Sequence, residues 1–323
     1  MNKNLIILVL FFLIFIIVFQ TYNYYKNTEE TIVVGYLPSN HHSALFVAEA
    51  KDMFKKEGIK VHLVPFRAGH ELITAAERGQ IDIGYCGISP VTSAIDKGIP
   101  IKIIAAVNQE GSGVVVKKNS NFNDITNLKG KSIAIPEKGS VQDVLLADLL
   151  YKNNISSDEV HIVESEVPLM PKSLLFNKFA AFIAWEPYVS VARFEGDGDV
   201  LMYSGDIWNN HPCCVVIARE EFIQKKPDSI RKFLNVHIAA TDFINSSKNE
   251  TALIISKKLG TNIDVEKEGL KHVEFIAIPS NEFIRNSIRF SELQKQLGYL
   301  NGNLSGTEMF DLEYLPRTEI HIN

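Results

Sequence analysis

Two series of short apolar strands alternate with helices along the chain, and this alternation limits the possible folds more than any other feature. The first series predicts strands over residues 31–37, 59–66, 81–85 and 101–107, with helices over residues 43–56, 70–78 and 91–97. Gly58, Gly79 and Gly98 end the three helices. A β-α-β series of this kind is typical of a parallel sheet that is covered by helices on both faces.

A second series begins at residue 132 and predicts another sheet. Its strands fall at residues 132–135, 160–163 and 180–184, with a helix over residues 141–151. Two further strand-like stretches, GVVVKK at 113–118 and CCVVIA at 213–218, bound this inserted block. The pattern therefore predicts an α/β protein whose chain crosses to a second lobe and returns. We expect lobe 1 to comprise residues 28–112 and 219–323, and lobe 2 to comprise residues 113–218 with the two hinge crossovers.

An apolar run near the start of the chain extends from Leu5 to Phe19. With its uncharged flanks it is about long enough to span a bilayer core as a helix. It could instead be the apolar part of a signal peptide, but bulky residues follow it rather than a small-residue cleavage site. We expect residues 1–27 to be an uncleaved membrane anchor of a single-pass protein, with the binding domain outside the cytoplasm.

Charge and motif content exclude several classes of function. The formal net charge is −5 at pH 7, and no dense Lys/Arg cluster is present, so the chain is not expected to bind nucleic acid. A P-loop and a GxGxxG fingerprint are both absent, so no nucleotide is predicted. We expect no cofactor.

The three cysteines, Cys86, Cys213 and Cys214, have neither the spacing of a disulfide framework nor that of a zinc site. We expect them to be small buried residues. His211 near the cysteine pair could suggest a Cys/His nucleophile, but no third orienting group can be identified. We therefore predict no catalytic residue and no metal.

Small polar residues follow three of the predicted strands where each meets a helix, in PSNHHS (38–43), GISP (87–90) and PEKGS (136–140). Ser89 before Pro90 predicts an N-cap and the first helical residue, and Ser140 with Asp143 approximates a capping box. Ligands bind at the carboxyl ends of parallel strands. One such junction alone would only start a helix. Three of them, from two lobes, favour a site whose free N–H groups hold an anion or a strong acceptor.

Two residue pairs are further candidates for this crevice. His41 and His42 are adjacent in a loop, so their side chains point apart, and we expect one of them to donate a hydrogen bond to the ligand rather than to hold a metal. Trp185 and Glu186 follow a strand and could form a flat wall beside a carboxylate. Core packing of the tryptophan is the alternative.

Residues 31–300 resemble the substrate-binding proteins of ABC importers in the nitrate/sulfonate/taurine group, which also includes thiamin-pyrimidine binders. The resemblance depends on five segments in order: GYLPSNHHSALFVAEAKDMFKKEGIKV, GQIDIGYCGISPVTSAIDKGIPIKI, LKGKSIAIPEKGSVQDVLL, AFIAWEPYVSVA and HPCCVVIARE. It implies a two-lobed type II periplasmic-binding-protein-like fold, each lobe a sheet flanked by helices, here preceded by one transmembrane helix. The lobes of such proteins close over the ligand by a hinge motion.

The resemblance also implies which positions contact the ligand. By motif these are Ser39, Asn40, His41, His42, Cys86, Gly87, Ser89, Ser112, Gly139, Ser140, Trp185 and Glu186. The expected function is a membrane-tethered receptor that captures a small anionic solute, such as a sulfonate or nitrate, and delivers it to an ABC permease and its ATPase subunit. The alternatives are a pyrimidine-binding or thiamin-precursor biosynthetic protein on the same scaffold, and a membrane-tethered sensor module.

Overall fold

The computed structural model describes residues 31–316, which form two mixed β-sheets. The six-stranded sheet has the order β11-β4-β10-β3-β1-β2, and its strands are β1 (Thr31–Tyr36), β2 (Lys60–Pro65), β3 (Ile83–Gly87), β4 (Ile101–Glu110), β10 (Pro212–Arg219) and β11 (Val273–Phe275). The five-stranded sheet has the order β7-β6-β8-β5-β9, and its strands are β5 (Ser112–Lys117), β6 (Ser132–Ile135), β7 (His161–Glu164), β8 (Ala181–Trp185) and β9 (Gly198–Tyr203).

The helices connect successive strands and cover the sheets. In chain order they are α1 (Ser43–Ala50), α2 (Met53–Lys56), α3 (Gly69–Glu77), α4 (Ile88–Asp96), α5 (Val141–Lys152), α6 (Met170–Leu175), α7 (Tyr188–Phe194), α8 (Ser204–Ile207), α9 (Glu220–Lys225), α10 (Pro227–Ser246), α11 (Lys248–Leu259), α12 (Ile263–Gly269), α13 (Asn281–Gln296) and α14 (Gly306–Met309). The helix predicted over residues 43–56 is divided in two, because Asp52 has a left-handed backbone with φ of 54°.

The predicted membrane anchor, residues 1–27, lies outside the described residues. Between residues 31 and 316, no helix combines the length and the apolar character that crossing a membrane requires.

Two crossovers join the sheets. The chain passes from β4 to β5 through Gly111 alone and returns between β9 and β10. Because β5 and β10 run antiparallel to their neighbours, each sheet is mixed rather than purely parallel. The sequence-based division grouped residues 212–218 with lobe 2, whereas β10 lies inside the six-stranded sheet between β3 and β4. An apolar strand pattern does not show which sheet the strand joins, and the bounds of the lobes remain a prediction.

The strand β10 is irregular at its start. Its pairing with β4 shifts register between Pro212 and Cys214 and again between Cys214 and Val215, as at a β-bulge. In a regular strand, neighbouring side chains point to opposite faces of the sheet. Here the Sγ atoms of Cys213 and Cys214 lie only 3.7 Å apart. The irregularity therefore places two adjacent thiols on one side of the strand.

Candidate functional site

A cavity of about 290 Å³ lies between the two sheets, at the ends of their strands. Its wall is formed by the residues that follow the parallel strands of both sheets and by the start of the antiparallel strand β10. This is the location that the strand-end rule for open α/β sheets predicts. Six of the residues that the sequence predicted as ligand contacts line it: Ser39, His41, His42, Gly87, Ser140 and Trp185.

The other predicted contacts, Asn40, Cys86, Ser89, Ser112, Gly139 and Glu186, are not part of this wall. Ser112 Oγ accepts a hydrogen bond of 2.9 Å from Gln142 Nε2, and both side chains are buried. Cys86 is fully buried with its Sγ 3.9 Å from the Gly69 carbonyl oxygen, and burial raises the pKa of its thiol. These side chains hold the walls of the cavity in place.

Ser89 was predicted as the N-cap of its helix, and this prediction is wrong. The helix α4 begins at Ile88 with Gly87 as its cap. Pro90 is compatible with this earlier start, because the N–H groups of the first turn have no acceptor within the helix and a proline there loses no helical hydrogen bond. The Ser89 hydroxyl instead donates to the Gly139 carbonyl oxygen at 2.6 Å and accepts from Gln294 Nε2 at 2.7 Å. Since Gly139 precedes α5 in the part of the chain that forms the second sheet, Ser89 connects the two halves of the fold.

Ser140 caps α5 as predicted, with Oγ accepting from the Asp143 N–H at 3.2 Å. The capping box is modified, because Asp143 Oδ2 accepts from the Gly139 N–H at 2.8 Å rather than from the cap residue. The result is a tight turn in which Gly139 has φ of +76°. The N-terminal end of α5 thereby faces the cavity.

A buried network lies behind Trp185. Ser39 Oγ donates to the Glu186 carbonyl oxygen at 2.9 Å, and Asn40 Nδ2 donates to Glu266 Oε2 at 3.2 Å. The Glu186 carboxyl group accepts from both the backbone N–H (2.9 Å) and the hydroxyl (3.0 Å) of Ser190. The bond from Ser39 to Glu186 joins the two halves of the fold, whereas the bonds of Asn40 and of the Glu186 carboxyl group each lie within one half.

We predict that Glu186 makes the stability of the fold depend on pH. Burial raises the pKa of this carboxyl group from 4.5 to about 7, against the opposing effect of the Ser190 hydrogen bonds. As the pH rises above 4.5, the unfolded chain loses the Glu186 proton, whereas the folded state keeps it until the pH approaches 7. Relative to Glu186→Gln, the wild type should lose on the order of 3 kcal/mol of unfolding free energy between pH 4.5 and 7.

Urea denaturation of both proteins across this pH range measures the difference. Glu268→Gln is a suitable control. Because the bond from Lys271 lowers the pKa of Glu268, Glu268 makes the unfolding free energy rise with pH, which is the opposite of the effect expected for Glu186. A constant difference between wild type and Glu186→Gln would contradict the prediction.

The two adjacent histidines point apart, as expected from the sequence. His42 Nδ1 lies 3.1 Å from the Leu37 nitrogen and 3.0 Å from its carbonyl oxygen. Burial, then the charge of His41, lower the pKa of His42 to about 3, so its ring is neutral. His41 Nε2 lies 2.8 Å from the Gly111 carbonyl oxygen, and its Nδ1 lies 3.4 Å from Cys213 Sγ and 3.7 Å from Cys214 Sγ.

The sequence analysis missed most of the charged residues of the cavity. These are Arg67, His70, Glu71, Glu137, Glu164 and Glu166. The residues from Arg67 to Glu71 follow β2, and Glu164 and Glu166 lie at the end of β7. Applying the strand-end rule to β2 and β7 as well would have identified five of these positions, whereas Glu137 lies in the junction at 136–140 that the sequence did indicate. His70 Nδ1 contacts Glu137, so polar side chains from both halves of the fold meet across the opening.

Trp185 provides a donor without a partner. Its Nε1 is buried and makes no hydrogen bond to any residue between 31 and 316, although a buried indole N–H normally has an acceptor. The residue lines the cavity at the end of β8. An acceptor atom of a ligand would satisfy this group.

Comparisons with known proteins agree with this arrangement. The chain is 29% identical over 253 residues to a Bacillus subtilis (strain 168) protein named for binding aliphatic sulfonates, covering 76% of this chain and 74% of that protein. It is 25% identical over 229 residues to the 4-amino-5-hydroxymethyl-2-methylpyrimidine phosphate synthase of Schizosaccharomyces pombe, covering 66% and 65% of the two chains.

A similar fold is found in the ligand-binding component of an ABC-type import system from Staphylococcus aureus, solved with zinc bound. The TM-score is 0.80 at 21% identity, over 88% of this chain and 97% of that one. The two-sheet fold is therefore that of the periplasmic binding proteins. The model of the NMT1-like family matches residues 26–259, and the chain belongs to this family.

Proposed function

We propose that the chain is the solute-binding component of an ABC importer, which captures a small anionic solute of the sulfonate class in the cavity between the sheets. The observation that carries the proposal is the cavity itself, formed by strand ends of two sheets that are joined by two crossovers. The permease and ATPase subunits of the importer would be its partners. The Bacillus subtilis relative supports the solute class.

The polar groups of the cavity suit one anionic group on a small molecule. Trp185, whose indole N–H has no partner among residues 31–316, lines it together with Arg67 and the N-terminal ends of α3 and α5. Helix N-termini stabilise negative charge. The four glutamates of the wall, Glu71, Glu137, Glu164 and Glu166, disfavour a multiply charged anion. A solute that pairs one sulfonate with a neutral or cationic end fits both features.

We propose further that residues 1–27 tether the protein to the membrane without cleavage, so that residues 28–323 lie outside the cytoplasm. The apolar run from Leu5 to Phe19 supports this topology by its length and its lack of charge. The two-lobe division, with the crossover at Gly111 as one hinge, belongs to the same proposal.

Ligand screening tests the proposal directly. The full chain is heated with alkanesulfonates, taurine, nitrate and thiamin pyrimidines in turn, and the melting temperature is recorded. A sulfonate at a hundred times its Kd should add about 2.7 kcal/mol to the unfolding free energy. Trp185→Ala should weaken binding at least tenfold, by removing the free N–H donor and a wall of the cavity. Trp208→Phe, outside the cavity wall, should leave binding unchanged.

The second candidate is a biosynthetic protein for a thiamin pyrimidine, which the Schizosaccharomyces pombe relative favours. The cluster of His41 and two cysteines beside the cavity is the structural feature in its favour. If sulfonates, taurine and nitrate all leave the melting temperature unchanged while a phosphorylated pyrimidine raises it, the importer proposal is wrong and this candidate takes its place.

A further inference from the structure

We propose that His41, Cys213 and Cys214 form a binding site for a thiophilic d10 cation, Zn²⁺ or Cu⁺, at the wall of the cavity. The three side chains are buried, and together they supply one imidazole nitrogen and two sulfurs. Thiolate and imidazole are the ligands that these ions prefer in proteins. The site goes beyond the capture of a solute and does not depend on it.

The spacing of the three atoms matches a metal site. Bonds of about 2.3 Å to sulfur and about 2.0 Å to nitrogen at tetrahedral angles place two sulfurs about 3.8 Å apart, and sulfur and nitrogen about 3.5 Å apart. Here the two Sγ atoms are 3.7 Å apart, and His41 Nδ1 lies 3.4 and 3.7 Å from Cys213 and Cys214. A tetrahedral ion just above the plane of this triangle would require little movement of its ligands.

His41 is held in the tautomer that a metal ligand requires. Its Nε2 is 2.8 Å from the Gly111 carbonyl oxygen, which can only accept, so Nε2 carries the proton and donates. The lone pair of Nδ1 then points towards the two sulfurs. Metal-binding histidines commonly donate their other N–H to a carbonyl or carboxylate in this way, which fixes the orientation of the ring.

The irregular start of β10 is what brings the two sulfurs to one side. In a regular strand only one of two neighbouring cysteines would face His41. The register shifts on both sides of Cys214 remove this restriction. Packing two small cysteines in a core does not require an irregular strand. Two adjacent cysteines that bind the same ion do require one, because both sulfurs must lie on one side of the strand.

The electrostatic surroundings favour a cation. Binding displaces the thiol protons of Cys213 and Cys214 to solvent. The carboxylates of Glu137 and Glu164 on the cavity wall add negative potential. The described residues bring together three ligands, and all three line the cavity, so water or a solute atom from the cavity would complete the coordination.

Metal titration of the full chain, purified without an affinity tag under reducing and anaerobic conditions, tests the site. Zn²⁺ and Cu⁺ are titrated separately against chromophoric chelators of known affinity, and bound metal is counted after dialysis. Co²⁺ substitution adds a spectroscopic test, since sulfur-to-cobalt charge-transfer bands appear only if cysteine thiolates bind the ion. We expect a single ion per chain and these bands.

Cys213→Ser and Cys214→Ser should each weaken binding by roughly a hundredfold or more, since loss of a ligand costs at least as much as loss of an outer-shell partner. Cys86→Ala is the matched control, because Cys86 is an equally buried cysteine outside the cluster, and it should retain the ion. The proposal is overturned if the wild type binds no more Zn²⁺ and Cu⁺ than the Cys213→Ser/Cys214→Ser double variant, or if Co²⁺ binds without charge-transfer bands. Measurements on the wild type decide this even if a variant fails to fold.

Discussion

Replacing Gly111 with alanine is expected to destabilise the protein by about 3 kcal/mol, one of the two largest effects of a single substitution that we predict. Gly111 has φ of +85°, a left-handed conformation that costs other residues about 1–2 kcal/mol. The new Cβ would also lie 2.5 Å from His41 Nε2 and 2.8 Å from Val273 Cγ2. Because neither group can move without losing contacts, overpacking adds about 1–3 kcal/mol.

Gly98→Ala separates the two causes. Gly98 has a similar φ of +79°, but an added Cβ would meet no described residue within 4 Å apart from its chain neighbours. This variant should therefore lose only the cost of the left-handed backbone. Urea denaturation measures both losses, and equal values for the two variants would contradict the role given to the contact with His41.

Replacing Ser89 with leucine should have a comparable effect, a loss of about 3 kcal/mol or more. Ser89 is fully buried, and its hydroxyl is bonded to both Gly139 and Gln294. Leucine would leave the Gly139 carbonyl oxygen without the Ser89 donor, which costs about 1–3 kcal/mol, whereas Gln294 Nε2 keeps the Ser89 carbonyl oxygen at 3.0 Å and the Ser93 hydroxyl at 3.3 Å as acceptors. The larger side chain adds the cost of overpacking.

Ser93→Leu is the matched comparison, because Ser93 is one turn along the same helix, is only partly buried and accepts a longer hydrogen bond of 3.3 Å from Gln294 Nε2. It should lose no more than about 1 kcal/mol of unfolding free energy. Ser89→Ala, which removes the hydrogen bonds without overpacking, should lose about 1–2 kcal/mol. Unfolding curves that coincide for Ser89→Leu and Ser93→Leu would show that the hydrogen bonds of Ser89 do not stabilise the fold.

Much of the architecture could be predicted from the sequence because apolar periodicity and helix-ending glycines are local features. Nine strands of the two sheets follow from these patterns, whereas β9 and β11 were not predicted. The partner of a polar side chain is not local. Ser39 and Ser89 were predicted as ligand contacts from their positions after strands, and Ser112 from the family resemblance. Only the folded chain shows that their hydroxyl groups bond to Glu186, Gly139 and Gln142.

The cluster of His41, Cys213 and Cys214 shows most clearly what spacing cannot predict. The sequence indicated no metal, because adjacent cysteines are not a zinc pattern and the nearest histidine in sequence is His211. The histidine that contacts the cysteines is instead 172 residues from Cys213. The register shifts that turn both sulfurs to one side arise from pairing with β4, which no local pattern records.

The carbonyl oxygen of Gly111 has a consequence for how the molecule works. It accepts hydrogen bonds from both the Glu186 N–H, at 2.9 Å, and His41 Nε2, at 2.8 Å. In the hinge motion that we propose, a rotation of the crossover peptide that parts the two sheets would weaken one of these bonds. The orientation of the His41 imidazole and the separation of the sheets would then be thermodynamically linked. An occupant that binds His41 more tightly in its present orientation than after such a rotation would stabilise the present arrangement of the sheets.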